Sequence, residues 1–301
     1  MIIGIGELSA LGTATSWGIS SQVHGYVARL VGPAGLTLLR MPFQVFFLAL
    51  MCLVMGPDTA WTLEGVGFLA ASALSGIYLC DFFVSYAMYV LGPATAALLL
   101  SSSTAFSALL GWVFLGEELP SQVWAGIGLT MLGIFFVVTE NRGSTLLPGQ
   151  SRPVGKALLL GVGAGLLAGI TLAFSFLFLK QGLQTGLDTL WGTFIRLIIG
   201  ACLLWGLGAL HSWPAKAIRG ARQHPKVCLM LLFSCFFSAV GLWCASFALT
   251  EAPVGVAATL IGLQSITVTI IGALWYRKLP SLRIVAGTLV AFGGVALICL
   301  R

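Results

Sequence analysis

The chain has 301 residues, 58% of them hydrophobic and only 8% charged, with a net charge of +6. Soluble domains carry about 25% charged residues, so the side chains needed to cover a water-facing surface are missing and a soluble globular enzyme is excluded. A mean hydropathy of +1.03, together with apolar runs reaching the ~20 residues that a helix needs to cross a ~30 Å hydrocarbon core, predicts an all-α integral membrane protein.

The runs fall at Glu7–Leu30, Pro33–Met55, Leu63–Val90, Pro93–Leu115, Pro120–Thr139, Val154–Lys180, Leu187–Leu210, Lys226–Thr250, Pro253–Tyr276 and Pro280–Leu300. Ten transmembrane helices are therefore expected. Pro33, Pro93, Pro120, Pro253 and Pro280 open runs, where the missing N–H costs nothing because the first helical donors are unpaired anyway. The first run lacks a basic start and carries Glu7, so it is expected to be a mature helix and not a secretory leader. The seven cysteines form no CxxC pair, and neither a disulfide nor a metal site is expected.

Polar residues inside the runs come in chain order. In the first, Thr13, Trp17, Ser20 and His24 share a face by helical spacing; His24 is either a packing histidine or a proton relay. Arg40 lies within the second run and Arg196 within the seventh. Each either pairs with helix carbonyls at a bundle interface or forms a fork for a substrate carboxylate or phosphate. Asp81, in IYLCDFFVSY, shares a face with Tyr78 and Ser85. It either binds a substrate amine or a proton, or serves as the ion-pair partner of an arginine. Ionisable groups at such depth cost about 2.5–3.5 kcal/mol on insertion scales and are functional candidates by default.

The segment VSYAMYVLGPATAALLL at Val84–Leu100 has a counterpart, ASFALTEAPVGVAATLI, at Ala245–Ile261. An offset of 161 residues aligns Ser85 with Ser246, Ala96 and Ala97 with Ala257 and Ala258, Gly111 with Gly272, and Gly133 with Gly294; an offset of 156 aligns Arg40 with Arg196. This predicts a duplication: residues 1–140 as a first five-helix repeat, 141–153 as a linker and 154–301 as a second repeat. Five helices is an odd number, so the second copy enters the membrane from the opposite side, the inverted build of many secondary transporters. At equivalent depths the fourth run reads SSST at Ser101–Thr104 and the ninth GLQS at Gly262–Ser265. The offset pairs Ser103 with Gln264 and Thr104 with Ser265. These residues either let helices approach closely or line a central cavity, for which Trp17, Tyr78, Tyr86 and Trp243 are candidate aromatic walls.

The run ALLGWVFLGEELPSQVWAGIGLTMLGIFFVV, Ala108–Val138, resembles the EamA-like group of the drug/metabolite transporter superfamily through Leu115, Gly116, Glu117, Gly126 and Gly133. Arg40 and Arg196 also stand where that group commonly begins the second helix of each half with an arginine. The resemblance covers essentially the whole chain and implies ten helices in two inverted five-helix halves. Two positions depart from it: Thr104 and Ser265 stand where the group often has a mid-helix proline, and Tyr276, Arg277 and Lys278 replace the Leu-Gly-Glu of the second half. No substrate is carried over with the resemblance.

Walker-type and HExxH sequences are absent, and GVGAG at residues 161–165 lies within an apolar run, not after a strand; an ATP-driven pump, a zinc protease and a dinucleotide enzyme are not indicated. No cofactor, metal or nucleic acid is expected. Basic residues gather between runs five and six, seven and eight, and nine and ten. By the positive-inside rule this places both termini outside, whereas the resemblance implies termini inside. The expectation is a multi-pass transporter of the cytoplasmic membrane for a small polar or amphipathic metabolite such as an amino acid. Its partners are the substrate, the lipid bilayer and a coupling proton or cation. A lipid-like or drug-like amphiphile is the alternative substrate, and a non-transporting scaffold or membrane enzyme the alternative class.

Overall fold

The computed structural model describes residues 4–115, 120–139, 154–210, 212–276 and 282–299. Gly116, Glu117, Arg142, Arg152, Arg277, Lys278 and the 141–153 linker lie outside them. Among the described residues the secondary structure is helical: α1 (Ile5–Val31), α2 (Pro33–Met55), α3 (Leu63–Leu91), α4 (Pro93–Leu100 and Ser103–Leu115), α5 (Ser121–Thr139), α6 (Lys156–Gln184), α7 (Thr189–Ala209), α8 (Trp213–Gln223), α9 (Lys226–Glu251), α10 (Val254–Gly262 and Gln264–Tyr276) and α11 (Leu282–Cys299). Seven of these, α2, α3, α4, α6, α7, α9 and α10, are long and apolar enough to cross a membrane. The 27-residue α1 is long enough but is not among the seven. Its polarity has a structural reason, since Thr13, Ser16, Ser20, Ser21, Gln22 and His24 are buried within the bundle. Polar side chains in a bilayer avoid lipid by facing protein.

Two of the short connections are Gly-Pro turns. Gly32 and Gly92 adopt φ of +78° and +87°, open to glycine without strain, and Pro33 and Pro93 then start α2 and α4. Pro42 lies inside α2, where it removes one hydrogen bond of the helical ladder.

Three helices depart from regular α geometry. Residues Ala73–Cys80 of α3 form a π-helical segment. In α4 a turn at Ser101 and Ser102 separates the two segments, and in α10 Leu263 does the same. The two breaks touch: Ser101 Oγ donates to Gly262 O at 3.2 Å, and Thr104 Oγ1 to Ala258 O at 3.2 Å. The principal apolar cluster joins α1, α3, α4, α6, α9 and α10 through residues such as Ala10, Leu69, Phe176, Ala248 and Ile261; a second, with Leu38, Met41, Ile77, Leu197 and Leu204, joins α2, α3 and α7.

α8 is an amphipathic helix in a stretch that sequence analysis reads only as basic. It packs on α2 and α1, with Ala217 buried and Gly220 against Val31, while Lys216, Arg219 and Arg222 are exposed. Trp213 at its start stacks on Phe82 of α3, ring centroids 5.5 Å apart and planes within 4°. At the other end of the bundle, Thr62 before α3 and Thr185 after α6 share a hydrogen bond of 3.0 Å. Lys180 Nζ there donates to Ala252 O at 3.0 Å, and α1 begins alongside, with Gly6 against Glu251. Asp58, Glu64, Asp188 and Glu251 therefore gather at one end of the bundle and the cations of α8 at the other.

Candidate substrate cavity

A cavity of about 700 Å³, counting the space at its mouth, lies in the middle of the bundle. Helices α1, α2, α3, α4, α6, α7, α9 and α10 all contribute to its wall. Among these are α2 and α7, which carry the two arginines.

Arg40 and Asp81 meet there. The guanidinium Nη2 of Arg40, from α2, is ion-paired with Oδ2 of Asp81, from α3. Of the two readings open for Asp81, the ion pair is the arrangement present. The Asp81 side chain keeps 21% of its surface exposed, which leaves the carboxylate open to the cavity as well as to its partner. Helix α9 packs behind Arg40, with Cys235 Sγ 3.6 Å from the Arg40 carbonyl. One helical turn along α2, Gln44 Nε2 donates to Ser238 Oγ at 2.7 Å.

Arg196 has a different environment. It is 3% exposed, and its Nη2 donates to Ser175 Oγ of α6 at 2.7 Å. Ser175 in turn donates to the Ser72 carbonyl at 2.9 Å, and Ser72 Oγ returns a bond to the Ser175 carbonyl at 2.8 Å. The π segment starts directly after Ser72. At Gly76, within it, an added Cβ would stand 2.1 Å from Ser175 Oγ and 2.7 Å from Arg196 Nη2. The backbone of α3 thus approaches the guanidinium to a distance that a side chain would prevent, a use of glycine in keeping with the frequent placement of π turns at functional sites.

Of the twelve residues named from sequence, Trp17, His24, Arg40, Asp81, Arg196 and Gln264 line the cavity. The other six stand apart. Tyr78 and Trp243 pack against the second apolar cluster, and Tyr86 is half-buried on α3. Ser103 is buried, and Thr104 and Ser265 spend their hydroxyls on the carbonyls of Ala258 and Gly262. Ser20, Ser21, Gln44, Cys80 and Ser238 are lining residues outside the twelve. Helical spacing carried a signal for two of them, since Ser20 precedes His24, and Gln44 follows Arg40, by four residues.

Three buried polar atoms at the cavity have no hydrogen-bond partner among the described residues: His24 Nε2, Arg40 Nε and Arg196 Nε. Unsatisfied polar groups at such depth are costly and rare, and their convergence on one cavity between helices marks it as the candidate binding site.

The sequence pattern of the EamA-like transporter family matches residues 4–139 and 159–300. The chain belongs to the EamA-like transporter family. It is therefore a multi-pass membrane protein of a transporter family within the drug/metabolite transporter superfamily. It is 29% identical over 139 residues to "Uncharacterized transporter YwfM" of Bacillus subtilis (strain 168), a match covering 46% of this chain and 46% of that protein. The aligned part thus spans about half the length of the curated relative. A solved structure described as "Crystal structure of protein" superposes with a TM-score of 0.64 over 98% of this chain and 95% of that one, at 15% identity. At that identity the likeness concerns the fold alone.

Proposed function

We propose that the protein is a secondary transporter that exports a small polar or amphipathic metabolite, such as an amino acid, across the cytoplasmic membrane by alternating access to the central cavity. The observation that carries this reading is the Arg40–Asp81 ion pair, set with Arg196, His24 and Gln264 in a cavity between helices from both ends of the chain. An ion pair at the centre of a membrane bundle is expensive to maintain, and a substrate or ion that competes for its members gives the expense a use. Asp81, open to the cavity, is the group assigned to the coupling proton or cation.

In this reading the ten long helices all cross the membrane, as two five-helix repeats of inverted topology comprising residues 1–140 and 154–301. Support comes from the 161-residue offset, which pairs the Ser101–Ser102 break of α4 with the Leu263 break of α10. Helices interrupted at equivalent depths in two halves are a recurring feature of transporters built this way.

The test is flux in proteoliposomes loaded with a panel of radiolabelled metabolites. Asp81→Asn and Gln264→Ala are expected to lower the flux of the transported solute at least tenfold, compared at equal amounts of folded protein in the vesicles. Unchanged flux in both variants would remove the cavity as the route, and no flux of any solute by the unmodified protein would point to a scaffold.

A further inference from the structure

We infer that Arg196 is the anion-binding group of the cavity, and that the ligand it takes is a compound with a single negative charge, a carboxylate foremost, joined to an apolar body. The inference rests on the cavity being a substrate site, as proposed above, and narrows the substrate from zwitterionic amino acids and neutral metabolites to amphipathic monoanions.

Its basis is a charge count among the lining residues. Arg40 and Arg196 bring two guanidiniums and Asp81 one carboxylate, which is ion-paired with Arg40. Among the described residues no carboxylate lies within ion-pair distance of Arg196; its partner is the neutral hydroxyl of Ser175, and its Nε has none. Arg196 is nonetheless 3% exposed. Asp81 is shared by the field of two guanidiniums and ion-paired with one of them, so the cavity keeps one surplus positive charge; burying it is costly, and a bound anion offsets that cost through charge-assisted hydrogen bonds. One surplus positive charge matches a monoanion; a dianion would leave an excess of negative charge in the same low-dielectric space, and an amine would add to the positive one.

The proposed repeat accounts for the missing second acid. Arg196 stands 156 residues after Arg40, and 161 residues after Asp81 the chain has Leu242. Leu242 lines the same cavity. The corresponding carboxylate is thus replaced by a hydrocarbon side chain, leaving one arginine paired and the other for the ligand. Leu242 joins Ile77, Leu172 and Leu197 in an apolar portion of the wall, against which the body of the ligand would lie. Gly76 adds a second element of the site, because its missing side chain lets α3 close over the Arg196 guanidinium.

The experiment compares three probes of similar body and different charge, 3-phenylpropanoate, 3-phenylpropan-1-ol and phenethylamine, by thermal unfolding of the purified protein in lipid nanodiscs. The acid is expected to raise the unfolding midpoint in a saturable manner, while the alcohol and the amine do not. Arg196→Gln is expected to weaken the acid's apparent affinity at least tenfold and Arg196→Lys to retain part of it. Leu242→Asp adds a carboxylate to the wall of the same cavity, cancelling its surplus positive charge, and is expected to abolish the acid's effect with the guanidinium still in place, so the inference remains testable if Arg196→Gln fails to fold. It is overturned if the alcohol or the amine stabilises as strongly as the acid, if the acid has no effect, if its effect survives Arg196→Gln, or, where that variant does not fold, if its effect survives Leu242→Asp. Proteoliposome flux separates the two readings: binding of the acid without movement of any solute would overturn transport and leave the anion site, whereas flux of some solute without stabilisation by the acid would do the reverse.

Discussion

Arg40 and Asp81 neutralise one another across the gap between α2 and α3, so losing one side chain differs from losing both. Removing a single member of such a pair leaves an uncompensated charge, costly in proportion to its burial, and Asp81 keeps 21% of its side chain exposed; replacing both with neutral groups can be nearly free. Arg40→Gln alone is therefore expected to lower thermal stability more than the double variant Arg40→Gln with Asp81→Asn. A double-mutant cycle of unfolding midpoints in detergent checks this, and additive effects would show the pair to be uncoupled. At Thr104, by contrast, Thr104→Val removes a hydrogen bond to the Ala258 carbonyl. Side-chain hydrogen bonds between membrane helices average about 0.6 kcal/mol, and the midpoint should move only slightly.

Among the elements, the π segment of α3 has the clearest consequence. Gly67 and Gly76 both lie on this helix, yet a Cβ at Gly67 meets nothing within 4 Å while one at Gly76 collides with Ser175 and Arg196. Alanine is favoured over glycine in a helix interior by about 1 kcal/mol. Gly67→Ala should thus be neutral or stabilising and Gly76→Ala destabilising, a difference in sign measurable by thermal unfolding. The long apolar helices were legible in sequence because spanning length and Gly-Pro punctuation are local properties. The π turn was not, since it records a tertiary fit between Gly76 and side chains about 100 or more residues away. Helix α8 escaped for another reason: eleven residues with three cations look like a loop until the alternation of Ala217 and Gly220 with Lys216, Arg219 and Arg222 is placed against a neighbour. Within the cavity, charge was legible and polarity only partly so. Arg40, Asp81 and Arg196 were conspicuous because membrane interiors exclude such groups. The hydroxyls of Thr104 and Ser265 looked equally suited to a cavity, but Thr104 serves the Ala258 carbonyl of the facing helix and Ser265 the Gly262 carbonyl three residues back on its own.

For the molecule as a whole, the two ends of the bundle differ in charge. Asp58, Glu64, Asp188 and Glu251 lie at the end where α1 begins, and Lys216, Arg219, Arg222 and Lys226 at the other. The positive-inside rule counts cations in short loops near span ends, which places the α8 end in the cytoplasm and the start of α1 outside, opposite to the orientation implied by the family resemblance. A cysteine at Asp58 should then react with a membrane-impermeant maleimide added to intact cells, and one at Arg222 only after lysis. The reverse pattern would invert the assignment. Replacing Lys216, Arg219, Arg222 and Lys226 with glutamine should produce a mixed population that labels at both positions.

The contact between Ser101 and Gly262 joins residues 161 apart in the chain, the same interval that relates the proposed repeats. A residue that touches its own counterpart stands on the axis relating the two halves, and a rotation about that axis displaces such a point least. Paired spin labels near positions 101 and 262 are therefore expected to keep one separation throughout a transport cycle, while pairs placed at the helix ends divide into two distance populations that exchange with substrate. The centre of α4 and α10 would then act as the fulcrum of the machine, with small residues there because a pivot has to be close-fitting before it can be still.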